Sequence, residues 1–249
     1  MASEQIVLFD LPSRPPRAAW SLNPWKTRFL LNFKGLDYKT EWAKTPKPPI
    51  LEYPDIKPTL EPHVAANPST GTWTIPTVKF PNGTYLMDSR KIVDKIDQTN
   101  PEPSIHLDSP VLAKLEEIMP RLMGALRPVY FLEVPGNILS DKSVDYWHET
   151  RSKAVGMPLA QLGEESGGQR AWDAAKPIIH EVEVLLKENS EGAFFLGNTP
   201  SYADFVWAGF LIFLQRNGVI EELYKVSGDS QLHKNLLDAT APWQKRNDY

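Results

Sequence analysis

Three short stretches carry residue types that could act together on one ligand. The first is Trp20-Ser21-Leu22-Asn23-Pro24, where a lone hydroxyl precedes an apolar run that closes at Gly35. Asn23 suits a helix cap and Pro24 the first helical position, which places Ser21 just before a helix N-terminus. The first backbone N–H groups of a helix lack intrahelical partners, and the macrodipole adds about half a positive charge there. An anion beside Ser21 would be stabilised. A serine hydroxyl without a base is a poor nucleophile but a good single donor, so its chemistry is to hold a thiolate or oxyanion that a ligand brings. Plain capping is the competing role, and the residue types alone leave both open. Ser13, the rival hydroxyl, is followed by Arg14-Pro15-Pro16, which does not readily begin a helix.

The second stretch is Ile75-Pro76, inside the β-rich run from Thr72 to Phe80. Proline cannot donate to a ladder and belongs at an edge, a bulge or a strand start. The bond is a candidate for the cis form, with the Ile75 backbone then free to pair with an extended ligand. The third is Asp88-Ser89, opening a helix that carries Ile92, Val93 and Ile96. Its N–H groups and the Ser89 hydroxyl suit a carboxylate, and Asp88 suits an ammonium. Here too capping is the plain alternative.

The elements that must position these residues follow in order. Ile6 to Phe9 reads as a buried strand, Tyr38 to Trp42 as a second, and the helix between them makes a βαβ unit with a parallel pair. Six prolines between Ala43 and Pro62 exclude a long regular element there, leaving at most a helical turn near Ile56 to Leu60. Asn82-Gly83 marks a hairpin turn, so two antiparallel strands join the sheet. Thr99 to Ser104 is a Pro-rich break, and beyond it the pattern is helical. Helices are expected from Pro110 through Leu122 with a kink at Pro120, from Ser140-Asp141, and from Gln169 to Lys187. Ser201 and Asp204 have capping-box spacing before an almost wholly apolar helix, which makes Asp204 a folding residue and not a catalytic one. The domains are expected as 1–98, a linker at 99–104, and an all-α domain over 105–249.

Composition narrows the chemistry. The 249 residues are 41% hydrophobic and 23% charged, ordinary for a globular protein with a real core. There is no cysteine, which removes disulfides, thiolate-ligated metals and any mechanism that needs an enzyme thiol. A net charge of -4 without a Lys or Arg run argues against nucleic acid as a partner. The longest apolar stretch, Phe205 to Leu214, is about half a bilayer span, so no membrane is expected and the cytoplasm is the default location. The five histidines form no pair at ligand spacing, and no metal is expected.

In this order and spacing the motifs resemble the cytosolic glutathione transferases over nearly the whole chain. The stretch from Trp20 to Arg28 together with Asn32-Phe33-Lys34-Gly35 looks most like the fungal etherase-related class with an active-site serine, and a wood-decay fungus is the kind of source this suggests. The resemblance implies a two-domain α+β architecture: a thioredoxin-like βαβ-ββα domain followed by an all-α domain. It implies that Ser21 donates to the glutathione sulfur with Asn23 nearby, that Ile75 before Pro76 pairs with the cysteinyl backbone, and that Asp88 and Ser89 hold the γ-glutamyl end. Met119, Met123, Tyr130, Phe131 and Trp147 are then candidates for the wall of a hydrophobic substrate site, and equally for ordinary core. Glutathione is implied as co-substrate, a homodimer as the assembly, and hydrophobic aromatic electrophiles as the targets of conjugation or ether cleavage. Leu22 stands where many members have proline, Asp88 where many have Glu, and the segment from Ala43 to Pro49 looks inserted. Two other readings remain: a ligandin that binds aromatic or phenolic compounds with little turnover, and a domain used only for assembly.

Overall fold

The computed structural model describes residues 5–42, 53–68, 70–189 and 191–246. The inserted stretch at 43–49 lies outside the described residues. The chain divides into two compact units, one holding everything up to Ser104 plus the segment from Trp243 onward, the other spanning Ile105–Pro242.

Unit 1 is built on a four-stranded sheet in the order β2-β1-β3-β4, formed by β1 (Ile6–Phe9), β2 (Tyr38–Glu41), β3 (Thr77–Lys79) and β4 (Tyr85–Met87). β1 and β2 are parallel, as the intervening helix α1 (Leu22–Phe33) requires, and β3 and β4 run antiparallel to their neighbours. Period-two alternation separates the two faces. Val7 and Phe9 lie with Leu11, Met87 and the short helix α2 (Ile56–Leu60) in one apolar cluster. Leu8 and Val78, paired across the ladder, are fully buried. β3 begins only after Pro76, so the β-rich run before it contributes an isolated bridge between Asn67 and Thr72 instead of a longer strand. Proline without an N–H sets that start.

Helix α1 starts two residues earlier than the Asn23-Pro24 pair suggests. Ser21 is the N-cap, Asn23 is the second helical residue and Pro24 the third, where a missing N–H still costs nothing. Its other end follows expectation: Gly35, at φ 64°, leads to a Leu36 N–H bond to the Leu31 carbonyl at 2.9 Å. Lys34 beside it is buried at its side chain and pairs with Asp97 at 2.8 Å. Its ammonium also donates to the carbonyls of Asn100, Pro101 and Pro103. The end of α1 is thereby tied to the end of α3 (Ser89–Thr99) and to the first residues of the linker.

Unit 2 is helical throughout, with α4 (Pro110–Ala125), α5 (Arg127–Asn137), α6 (Asp141–Val155), α7 (Leu159–Ser166), α8 (Gln169–Lys187), α9 (Tyr202–Arg216), α10 (Ile220–Val226) and α11 (Ser230–Ala239). The starts at Pro110 and Asp141, and both ends of α8, fall where the sequence places them. Among the helices the sequence does not announce is α5, whose Pro128 and Pro135 hide it; Pro128 sits in the first turn, where it is tolerated. Helices α7, α10 and α11 were also not anticipated.

Helix α9 is the axis of this unit, buried at every residue from Tyr202 to Leu214. The capping box at its start is complete. Asp204 accepts from the Ser201 N–H at 2.7 Å, the Ser201 hydroxyl at 2.7 Å and the Phe195 N–H at 2.8 Å. Elsewhere on α9 the Trp207 indole N–H donates to His233 Nδ1 at 3.1 Å, and His233 Nε2 faces Glu183 at 3.3 Å, joining α9, α11 and α8. The segment after α11 departs from expectation, since from Trp243 the chain packs in unit 1 and not with the helices.

Replacing Asp204 by Ala strands three buried donors, and should cost about 2–4 kcal/mol, read as a lower urea midpoint. Burial pushes the Asp204 carboxyl up to about 6, against the bonds from Phe195 and Ser201. A carboxyl whose folded pKa is raised binds its proton more tightly in the native state, so its contribution to stability falls as pH rises from about 4 to about 6. The stability margin of the wild type over Asp204→Asn should therefore shrink across that window, measured by urea unfolding at fixed pH steps.

Candidate functional site

Strand register decides where the chemistry-bearing residues meet. Phe9, the last residue of β1, is opposite Thr77, the first of β3, and Thr77 is opposite Met87, the last of β4. These three form one row at one end of the sheet. Ile75 and Pro76 therefore enter at this end, and Asp88 and Ser89 leave from it. Ser21 heads the helix that returns from this end of β1 to the start of β2. Three stretches drawn from residues 21 to 89 of the chain thus open onto the same edge.

At the first, Ser21 is half-buried between the fully packed Trp20 and Leu22. Its backbone is extended (φ -81°, ψ 136°) and its carbonyl accepts the first helical bond, from Trp25 at 3.1 Å. Its hydroxyl makes no cap bond. A cap residue normally spends its oxygen on the N2 or N3 N–H, but here N3 is Pro24, which has none. The N–H groups of Leu22 and Asn23 remain at the helix end beside that hydroxyl, and Asn23 itself is exposed. Ser13, the competing hydroxyl, is consumed locally: its oxygen bonds the Arg14 and Pro16 carbonyls and accepts the Ala18 N–H.

At the second, the Ile75–Pro76 bond is cis. Ile75 lies outside the ladder, with no backbone hydrogen bond among the described residues. It is seated by its side chain against the apolar cluster under α2. Neighbouring Thr74 is held by the Thr77 hydroxyl, which donates to its carbonyl at 2.7 Å, and by the Met87 sulfur, which accepts its N–H at 3.4 Å.

At the third, Asp88 holds φ 79° and ψ 114°, a left-handed backbone rare outside glycine that costs about 1–3 kcal/mol. The cost is offset where one carboxylate oxygen accepts the Arg90 N–H at 2.9 Å and so caps α3. The other oxygen, the Ser89 hydroxyl and the Ser89 N–H have no partner among the described residues. One anion acceptor and one cation acceptor stand side by side, as an amino-acid head group requires.

The residues proposed for a hydrophobic wall lie in unit 2. Phe131 and Trp147 are packed core, 8% and 3% exposed, joined by a bond from the Trp147 indole to the Phe131 carbonyl at 3.0 Å. The Arg151 guanidinium covers Trp147 at 4.2 Å. Tyr130 meets Phe131 and Phe213 edge-on, and burial pushes its phenol above the usual range. Met119 and Met123, one turn apart on α4, are buried and partly buried respectively. A cavity of about 510 Å3 in unit 1 is lined by Ile6, Phe80, Asn82 and Lys95, at the opposite end of the sheet, and shares no residue with the edge. Among the described residues no group of His, Cys, Asp or Glu could hold a metal ion, and no helix is long and apolar enough to cross a membrane.

Known proteins with this arrangement were found by sequence and by fold. Residues 20–99 match the glutathione S-transferase N-terminal domain and residues 115–241 the C-terminal domain. The chain belongs to the glutathione S-transferase family. The "glutathione S-transferase-like protein ustS" of Aspergillus flavus is 28% identical over 227 residues, 84% of this transferase and 79% of that protein. The glutathione transferase GSTFuA2 of Phanerochaete chrysosporium superposes with a TM-score of 0.79 at 25% identity, covering 98% of this chain and 99% of that one. A glutathione S-transferase of Ceriporiopsis subvermispora, solved in complex with glutathione, has a TM-score of 0.81 at 24% identity, covering 99% and 100%. The thioredoxin-like first domain and helical second domain of this transferase are those of its relatives.

Because the Asp88 side chain both caps α3 and tolerates its backbone, Asp88→Ala should lower the thermal midpoint by the equivalent of about 1–3 kcal/mol. Asp88→Asn keeps the cap and should stay close to the wild type in the same melting experiment.

Proposed function

We propose that Ser21 donates a hydrogen bond to the sulfur of bound glutathione and holds it as the thiolate, for attack on hydrophobic aromatic electrophiles. The observation that carries this reading is the Ser21 hydroxyl itself, unspent on capping at the N-terminus of α1 while Ser13 is fully occupied. In this reading the Ile75 backbone pairs with the cysteinyl residue of glutathione, Asp88 takes the γ-glutamyl ammonium, and Ser89 with its N–H takes the adjoining carboxylate. Asn23 lies beside the sulfur, at the second position of α1.

The energetics are sufficient. A free thiol has a pKa of about 8.5, and each unit it falls corresponds to about 1.4 kcal/mol of preference for the thiolate. One hydroxyl bond to the sulfur and the positive end of a helix together supply roughly 2–3 kcal/mol. About half or more of the bound thiol is then ionised at neutral pH. In conjugation the sulfur lone pair forms a C–S bond at the electrophilic carbon and the leaving group departs with its electrons. In ether cleavage the leaving group is an aryloxide, which takes a proton from water. On unit 2, Met123 and Tyr130 retain accessible surface and are the residues assigned to the acceptor, while Met119, Phe131 and Trp147 are buried. A homodimer forms part of this reading.

Calorimetry with glutathione, wild type beside Ser21→Ala, combined with the ultraviolet thiolate band followed against pH, tests it. The bound thiol should titrate roughly 1.5–2 units below 8.5 in the wild type and near 8.5 in the variant, with turnover falling at least tenfold. An unshifted pKa in both proteins would sink the thiolate role and leave a binder of aromatic ligands. Asp88→Asn should weaken glutathione about tenfold by removing the charge opposite the ammonium, with the thiol pKa unmoved.

A further inference from the structure

Beneath the Ser21 helix lies a buried ion pair that the chemistry above does not use. Asp10 directly follows β1, and Arg28 stands seven residues after Ser21 on the same side of α1; both side chains are fully buried. One Asp10 oxygen accepts the Leu11 N–H at 2.7 Å, and the other lies 3.0 Å from both Nε and Nη2 of Arg28. The guanidinium also stacks over Trp42, just past β2, at 4.9 Å. Its remaining nitrogen, Nη1, donates to the backbone carbonyl of Arg246 at 3.3 Å.

That carbonyl is brought there by a segment strapped across α1 and β2. Asn32 Nδ2 donates to the Trp243 carbonyl at 2.6 Å, and the Trp243 ring meets Phe33 edge-on at 5.1 Å. The Arg246 guanidinium donates to the Tyr38 carbonyl and stacks on the Tyr38 ring at 4.2 Å, while the Tyr38 hydroxyl donates to the Arg246 carbonyl.

An ion pair in this place is costly, since well-packed apolar residues of similar volume are often neutral or better for stability. What apolar packing does not supply is direction. The burial of Phe29, Leu30 and Leu31 drives α1 into the core, but that force is non-directional and does not by itself choose an axial register. A guanidinium hydrogen-bonded to the Asp10 carboxylate and to the Arg246 carbonyl, with its face on Trp42, does choose one. We propose that Arg28 is a positioning residue for Ser21: it fixes the axial register of α1 against the exit of β1, and the Arg246 carbonyl completes its bonding. The consequence for thiolate stabilisation rests on the Ser21 reading; the positioning of α1 does not.

Amide hydrogen exchange of the glutathione-free full chain tests the positioning directly. In Arg28→Lys, whose single ammonium cannot span both acceptors as the planar fork does, exchange at Trp25 to Phe29 should quicken at least tenfold while α9 keeps wild-type rates. Arg246→Ala, which keeps the Arg28–Asp10 pair, should show the same local effect more weakly and covers the case in which Arg28→Lys fails to fold. Where the wild type depresses the thiol pKa of bound glutathione, both variants should raise it, Arg28→Lys by about half a unit or more, about a threefold fall in the ratio of thiolate to thiol at fixed pH. Glutathione affinity should stay within threefold. Unchanged exchange in α1, or equal acceleration in α1 and α9, overturns the proposal. A wild-type thiol with an unshifted pKa overturns the Ser21 reading instead, and exchange alone then decides the role of Arg28.

Discussion

The row Phe9–Thr77–Met87 is the constraint on which unit 1 depends. Because β3 lies antiparallel to β1, the chain enters β3 at the end where it left β1, and β4 then brings it back to that end. Side chains alternate with a period of two, so a slip of one residue would turn Val7 and Phe9 away from their apolar partners under α2 and move Leu8 off the face on which it is fully buried. Hydrophobic burial thus fixes the register, and the register fixes which loop ends share an edge. The polar residues at that edge inherit their proximity from apolar ones that never touch a ligand.

The two helix starts at this edge manage their orphan N–H groups differently. α3 uses the Asp88 carboxylate and accepts a strained backbone to do it. α1 has a proline at one of the two positions that could donate a cap bond, and its serine oxygen makes none. The first start is built for stability with an oxygen to spare, the second for availability. In the other unit the same physics serves folding alone: the Ser201–Asp204 box satisfies every donor around a buried carboxylate and presents nothing outward.

Much of this was legible because its signals are local. Gly35, Asn82-Gly83, Ser140 and the Ser201–Asp204 spacing each announce a boundary within four residues. The start of α1 was misplaced by two because Ser21, Asn23 and Pro24 all suit a helix start, and only the packing of Leu22 and Trp25 decides among them. Helix α5 was obscured because Pro128 reads as a breaker unless its first-turn position is known. The choice of Ser21 over Ser13 was only half available, since the hydrogen bonds that occupy Ser13 depend on a fold of the loop that its prolines do not dictate. The bond between Arg28 and Arg246 spans 218 positions and has no local signature.

That long bond bears on how the protein is made. The segment from Trp243 leaves the ribosome only after all of unit 2, Ile105 to Pro242, has been synthesised. At the usual rate of about 5–20 residues per second, unit 1 waits on the order of ten seconds with its buried guanidinium short of one acceptor. Domains commonly fold in the order of their synthesis, but here the first to emerge is the last to be completed. The helical unit, contiguous in the chain, can finish before it.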